Sequence, residues 1–156
     1  MHGAQIWLSV WVLAASGIQL GTLWIMKLSI LPMLNSLPYD GYVRVCQLID
    51  MHVFHPIAVW SGVIGAGIGV AAGIASGSAL AATLFYAGSA CMVIVGITSE
   101  VFNRPVWRQI ERWTPRRVSD EQWDHKRHNW HIAHEVRTYG AVGAVVAYMA
   151  AVLVAA

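Results

Sequence analysis

GVIGAGIGVAAGIASGSALAATLFYAGSACMVIVGI, residues 62–97, carries no charged residue, and its apolar run breaks only at Ser76-Gly77-Ser78-Ala79. A bilayer crossing needs about 20 apolar residues as helix, so the stretch is the facing ends of two spans. A connection of only SGSA joins adjacent helix ends and forces an antiparallel hairpin. The Ala/Gly run on its first arm (62–82) suits close helix packing through small side chains.

Working outward, hydropathy gives spans at about 5–30, 45–75, 79–99 and 131–154. The first has no basic leader and is too long for the apolar core of a signal peptide. Of the 156 residues, 57% are hydrophobic and 12% charged, against roughly 25% charged in soluble domains. The fold class expected is an all-α four-helix transmembrane bundle forming one domain, 1–156, with a long loop, about 100–130, between spans three and four.

The net charge of +2 is polarised. Lys27, Arg44, Arg104, Arg108, Arg112, Arg116, Arg117, Lys126, Arg127 and Arg137 all fall at or near the side opposite SGSA. The positive-inside tendency makes that side cytoplasmic and both termini outward, in an inner or plasma membrane. The basic loop then faces anionic headgroups, and nucleic acid is not needed as a partner. Cys46 and Cys91 lie at different depths, so no disulfide is expected. The sequence permits a homo-oligomer without specifying one.

Pro105 and Pro115 punctuate the long loop, and Ser119-Asp120-Glu121-Gln122 is a capping box that starts a helix. Run without a break into the last span, that helix is about 50 Å long, and its first turns must project beyond the bilayer.

Distances measured from the outer helix ends place His131 and His134 at about 34 and 30 Å, His52 and His55 at about 34 and 30 Å, and Glu100 and Lys27 at about 31 Å. Four helices thus bring polar groups to one layer. At 100° per residue, Trp123, Arg127, Trp130, His134 and Arg137 form one stripe of the last helix, while Asp124, His128, His131 and Glu135 form a second. One of these should face the bundle. Intramembrane ionisable groups are costly and pair or line polar cavities, so Arg137 calls for a partner among Glu100, Glu135 and Asp50. His125 and His128 read as wet.

His52, His55, His131, His134 and Glu100 supply nitrogen and oxygen donors suited to copper, iron or zinc, although the spacing matches no standard zinc signature. A b-type haem between paired histidines ranks behind a metal. No phosphate-binding glycine loop or nucleophile elbow is present.

Pro32-Met33-Leu34 after the first span, Thr98 to Asn103 and Pro105 after the third, and Trp123, Trp130, His134 and Arg137 on the last form a scattered pattern. The pattern resembles the anthrone-oxygenase-like family of small four-span membrane proteins. The resemblance implies oxygen-dependent oxidation of an apolar, anthrone-like aromatic substrate, with Asn103, His134 and Arg137 as the positions carried over and Glu100 beside them. His52, His55, His128 and His131 depart from that pattern. In a cofactor-free version a histidine removes an acidic C–H proton and Arg137 stabilises the enolate; in a metal version the histidines are ligands. The competing class is a non-catalytic membrane subunit or haem electron carrier.

Overall fold

Every regular element among the described residues is helical. The computed structural model describes residues 3–48, 51–110, 112 and 120–156, and for residues 51–58, 120 and 121 the backbone alone. The elements are α1 (Gly3–Ile25), a π turn (Met26–Ile30), α2 (Leu31–Asn35), α3 (Tyr39–Leu48), α4 (Met51–Ile74), α5 (Ala79–Thr98), a second π turn (Ser99–Asn103), α6 (Arg104–Ile110) and α7 (Asp120–Ala155).

The hairpin read from residues 62–97 is present. α4 ends at Ile74, and Ser78 caps α5 by accepting from the Ala81 N–H, which satisfies one of the donors a helix start leaves free. α4 packs on α1 and α5, and α7 packs on α5 and α1, so four helices stand at the corners of one bundle. Small residues set the close approach. A Cβ at Gly88 would lie 2.6 Å from the Tyr148 ring, and one at Gly140 would lie 2.9 Å from Val95.

Unlike that of a soluble bundle, the exterior is as apolar as the interior, and the interior carries polar groups. Gln5, Ser9, Ser16 and Gln19 are buried along one face of α1, whereas Trp7, Trp11, Trp60 and Leu153 are 60% or more exposed. Water would penalise that exterior and hydrocarbon would not. Three helical columns, Gly3–Asn35, Ala79–Ile110 and Gln122–Ala155, are long and apolar enough to cross a membrane, and Val59–Ile74 is a shorter apolar helix.

The expected boundaries shift at the inner end. The 45–75 segment divides into α3 and α4, and the third span continues through its π turn to Ile110, so much of the segment read as loop is helix. The Ser119 cap, Pro115, Arg116 and Arg117 lie outside the described residues. α7 is unbroken for 36 residues, as expected.

Its first turns do not project bare into water. Trp123 and Trp130 are buried with Leu34, Tyr42, Cys46, Trp107 and Ile110 in a second core, where α2, α3 and α6 close over the start of α7. Tyr42 meets Trp123 edge-on at 4.6 Å, and Trp107 lies 5.8 Å from Trp130, within the range of favourable aromatic pairing.

Both π turns have a cause in the sequence. Pro32 and Pro105 each follow the end of a π turn by two residues. A proline lacks the backbone N–H and presses on the carbonyl four residues back, here Leu28 and Val101, both inside the widened turns. The Leu31 N–H reaches the Met26 carbonyl and the Arg104 N–H reaches Ser99, five residues back in each case.

Candidate functional site

The stripe of α7 that faces the bundle is Trp123, Arg127, Trp130, His134 and Arg137. Trp130 is 3% exposed and His134 is fully enclosed, while Arg137 stays partly exposed. The other stripe lies outward: Asp124, His128 and His131 line an open cleft with Asn35 and Arg127, and Glu135 pairs with Lys27.

Both His134 ring nitrogens are engaged. Nδ1 is 3.1 Å from Arg137 Nη2, and Nε2 is 3.2 Å from the Leu23 carbonyl. A guanidinium can only donate and a carbonyl can only accept, so Nδ1 carries the lone pair and Nε2 the hydrogen. The ring is a neutral imidazole of fixed tautomer. Thr138 Oγ1 donates to the His134 carbonyl at 2.8 Å and lies 3.3 Å from Nε2, closing the site from one turn further on.

Arg137 is held by neutral acceptors. Nη1 donates to Ser99 Oγ at 3.3 Å. With the Asn103 amide turned so that its oxygen faces the guanidinium, Asn103 Oδ1 accepts from Nε at 3.0 Å, from Nη1 at 3.1 Å, and from Nη2. Ser99 and Asn103 are the first and last residues of the second π turn, and Leu23 lies just before the first. The two irregular turns therefore flank the His134–Arg137 pair from α1 and α5; π turns recur at functional sites because they re-aim side chains and loosen the carbonyl ladder.

Two of the three acidic partners expected for Arg137 pair elsewhere, and the third, Asp50, lies outside the described residues. Glu100 pairs with Arg104 one turn along the same column, and Glu135 takes Lys27, which also donates to Tyr139 Oη at 3.0 Å. Among the described residues no carboxylate pairs with Arg137. Residue counts set depth but not facing. A helix turns by 100° per residue, so neighbours at one depth can point into the bundle or away from it.

Of the metal set, His134 has both nitrogens occupied, Glu100 pairs with Arg104, and His131, about 60° round α7 from His134, leaves Nε2 buried without a partner among the described residues. Among the described residues no three His, Cys, Asp or Glu side chains converge as a metal would require. The side chains of His52 and His55, and Asp50 altogether, lie outside the described residues. His125 and His128 are exposed, as read. Cys46 and Cys91 are free thiols.

Ser99, Thr138 and the Leu23 carbonyl were missed. The T-x(4)-N-x-P segment pointed one residue away from Ser99, and Thr138 stands four residues after His134, which puts it on the same face. A main-chain carbonyl leaves no mark in a sequence. No family model, curated protein or solved structure matches this chain.

Proposed function

We propose that this chain is a four-span membrane oxidoreductase with both termini outward and the basic groups cytoplasmic. Its reaction is the oxidation by dioxygen of an apolar aromatic substrate that bears an enolisable carbonyl. The observation that carries the reading is Arg137, a partly buried cation satisfied, among the described residues, by the neutral groups of Asn103, Ser99 and His134.

Ionisable groups inside a bilayer pair with one another or with backbone carbonyls, or mark a functional path. A cation held by preorganised neutral acceptors instead keeps its charge for an anion that arrives or develops, which is the logic of an oxyanion site. An enolate oxygen is such an anion. Arg137 retains exposure and His134 has none, so the substrate oxygen meets the guanidinium.

When the Arg137 guanidinium swings out to donate to that oxygen, it uncovers the His134 Nδ1 lone pair on the same side, where the substrate's acidic C–H lies. Nδ1 then accepts the acidic C–H proton while the Leu23 carbonyl keeps hold of Nε2–H. The resulting enolate reacts with dioxygen, and the balance is one methylene plus O2 giving one carbonyl plus water. Asn103 and Ser99 orient the guanidinium. The roles of the histidine and the arginine follow the resemblance at His134, Arg137 and Asn103; Glu100, paired with Arg104, drops out of the chemistry.

The test uses purified protein in detergent with anthrone as probe, following oxygen uptake and anthraquinone absorbance. Arg137→Gln should lower turnover by about 10²–10³, the usual cost of one oxyanion donor, with the fold retained by helical circular dichroism. Wild-type turnover in that variant, or no turnover in the native chain, overturns the proposal.

A further inference from the structure

Two surface grooves meet at Pro105, and neither is lined by His134, Arg137 or Asn103. The outer groove, about 510 Å³, runs between the α5–α6 column and α7 over Val101, Phe102, Val106, Ile132 and Val136. The inner groove, about 400 Å³, is lined by Glu100, Arg104, Arg108, Gln109 and Arg112. Apolar walls pass directly into a basic cradle.

Arg104 and Arg108 stand one turn apart on α6, and Arg112, in the turn beyond it, lines the same groove. Glu100 neutralises Arg104. Among the described residues Arg108 and Arg112 have no carboxylate partner, and both are exposed. The cradle therefore keeps a net positive charge at the inner end of a column that crosses the bilayer. From Arg108 to Thr98 the column rises about 15 Å, which is half of a hydrocarbon core about 30 Å thick.

We propose that the composite groove holds one anionic phospholipid of the cytoplasmic leaflet. Its phosphate sits on Arg108 and Arg112, and one acyl chain lies along Val101, Phe102, Ile132 and Val136. A free phosphate would use only the cradle and a neutral lipid only the apolar wall; a ligand with both parts fills both. The proposal rests on the membrane placement above and not on the chemistry at Arg137.

The test is native mass spectrometry of the full chain in non-ionic detergent, titrated with phosphatidylglycerol, with phosphatidylcholine of the same acyl composition, and with glycerol 3-phosphate. Phosphatidylglycerol should bind at least about tenfold tighter than phosphatidylcholine, since each basic residue near a headgroup contributes about fivefold. The double variant Arg108→Gln, Arg112→Gln should remove that preference. Because both side chains are exposed and have no carboxylate partner among the described residues, its melting temperature should match the native chain's.

Equal binding of the two lipids, or an unchanged preference in the double variant, overturns the proposal. Displacement of phosphatidylglycerol by equimolar glycerol 3-phosphate also overturns it, because the site would then read the anion alone. Anthrone turnover in the double variant is expected to equal the native rate, so failure here and failure of the proposed reaction are separately visible.

Discussion

The bundle contains two polar nodes that differ in what they leave unsatisfied. In one half, Tyr148 Oη donates to the Gly65 carbonyl at 3.1 Å and sits 3.1 Å from Ser89 Oγ, which donates to the Ala66 carbonyl at 3.0 Å. Every group there is neutral, and Gly69 and Gly88 supply the room for the ring. In the other half, His134 and Arg137 are equally well hydrogen-bonded, yet among the described residues the positive charge has no counter-charge. The first node is complete in itself and holds α4, α5 and α7 together; the second keeps a charge that, on the proposed reading, an anion completes.

The comparison breaks most sharply at Arg137. Removing its charge should cost turnover by the two to three orders of magnitude given above while the bundle persists. If activity survives in Arg137→Gln, the two nodes are the same kind of object. Next in size is Gly88→Ala, whose Cβ would lie 2.6 Å from a fully buried Tyr148 ring that has nowhere to move. Overpacking of this kind costs about 1–3 kcal/mol. Thermal unfolding in detergent should show it, with turnover per folded molecule unchanged.

Tyr148→Phe removes the hydroxyl but leaves Ser89 its bond to Ala66. A net loss of about 1 kcal/mol is expected, again without an effect on turnover; a tenfold drop in turnover would mean that the first node participates in the reaction. The smallest effect lies in the aromatic cap outside the bundle. Burial pushes the Cys46 thiol up to about 12 from 9.0, and burial raises the Tyr42 hydroxyl as well. For both groups the folded state holds its proton at a pH where the unfolded state releases it. Their contribution is whole below pH 9 and lost as pH rises toward 12, so unfolding temperature should fall across that window. Maleimide labelling of Cys46 at pH 8 should require unfolding, whereas labelling of the native chain at the rate of a free thiol would show that the cap opens.

The hairpin and the unbroken α7 were legible because apolar runs and a four-residue interruption are strong local signals. Depth was legible too, since it needs only residue counts, and it brought His134, Glu100 and Lys27 to one level. Facing was harder to read. Charge seeks charge in a sequence reading, which points Arg137 to Glu100, Glu135 or Asp50, whereas neutral acceptors on a π turn hold it.

The polar face of α1 was hidden for a different reason: Gln5, Ser9, Ser16 and Gln19 are scattered one per turn and hardly lower the hydropathy of the span. Trp123 and Trp130 fit a membrane-edge anchor as well as a core. Only the placement of α2, α3 and α6 over them decides between the two, and that is tertiary information.

The π turns carry a consequence for length. Each accommodates one more residue than an α-helical ladder would, so each column is two helices slightly out of phase, one geared to the bundle and the other to the cap. Deleting a single residue between Ser99 and Asn103 would close the widened turn into an ordinary α-helical one and leave α5 and α6 nearly in place. The apolar stripe and the cap would stay intact, while the turn that sets Ser99 and Asn103 around the guanidinium would be gone. Such a chain should fold like its parent, with almost the same composition, and still have lost its grip on Arg137.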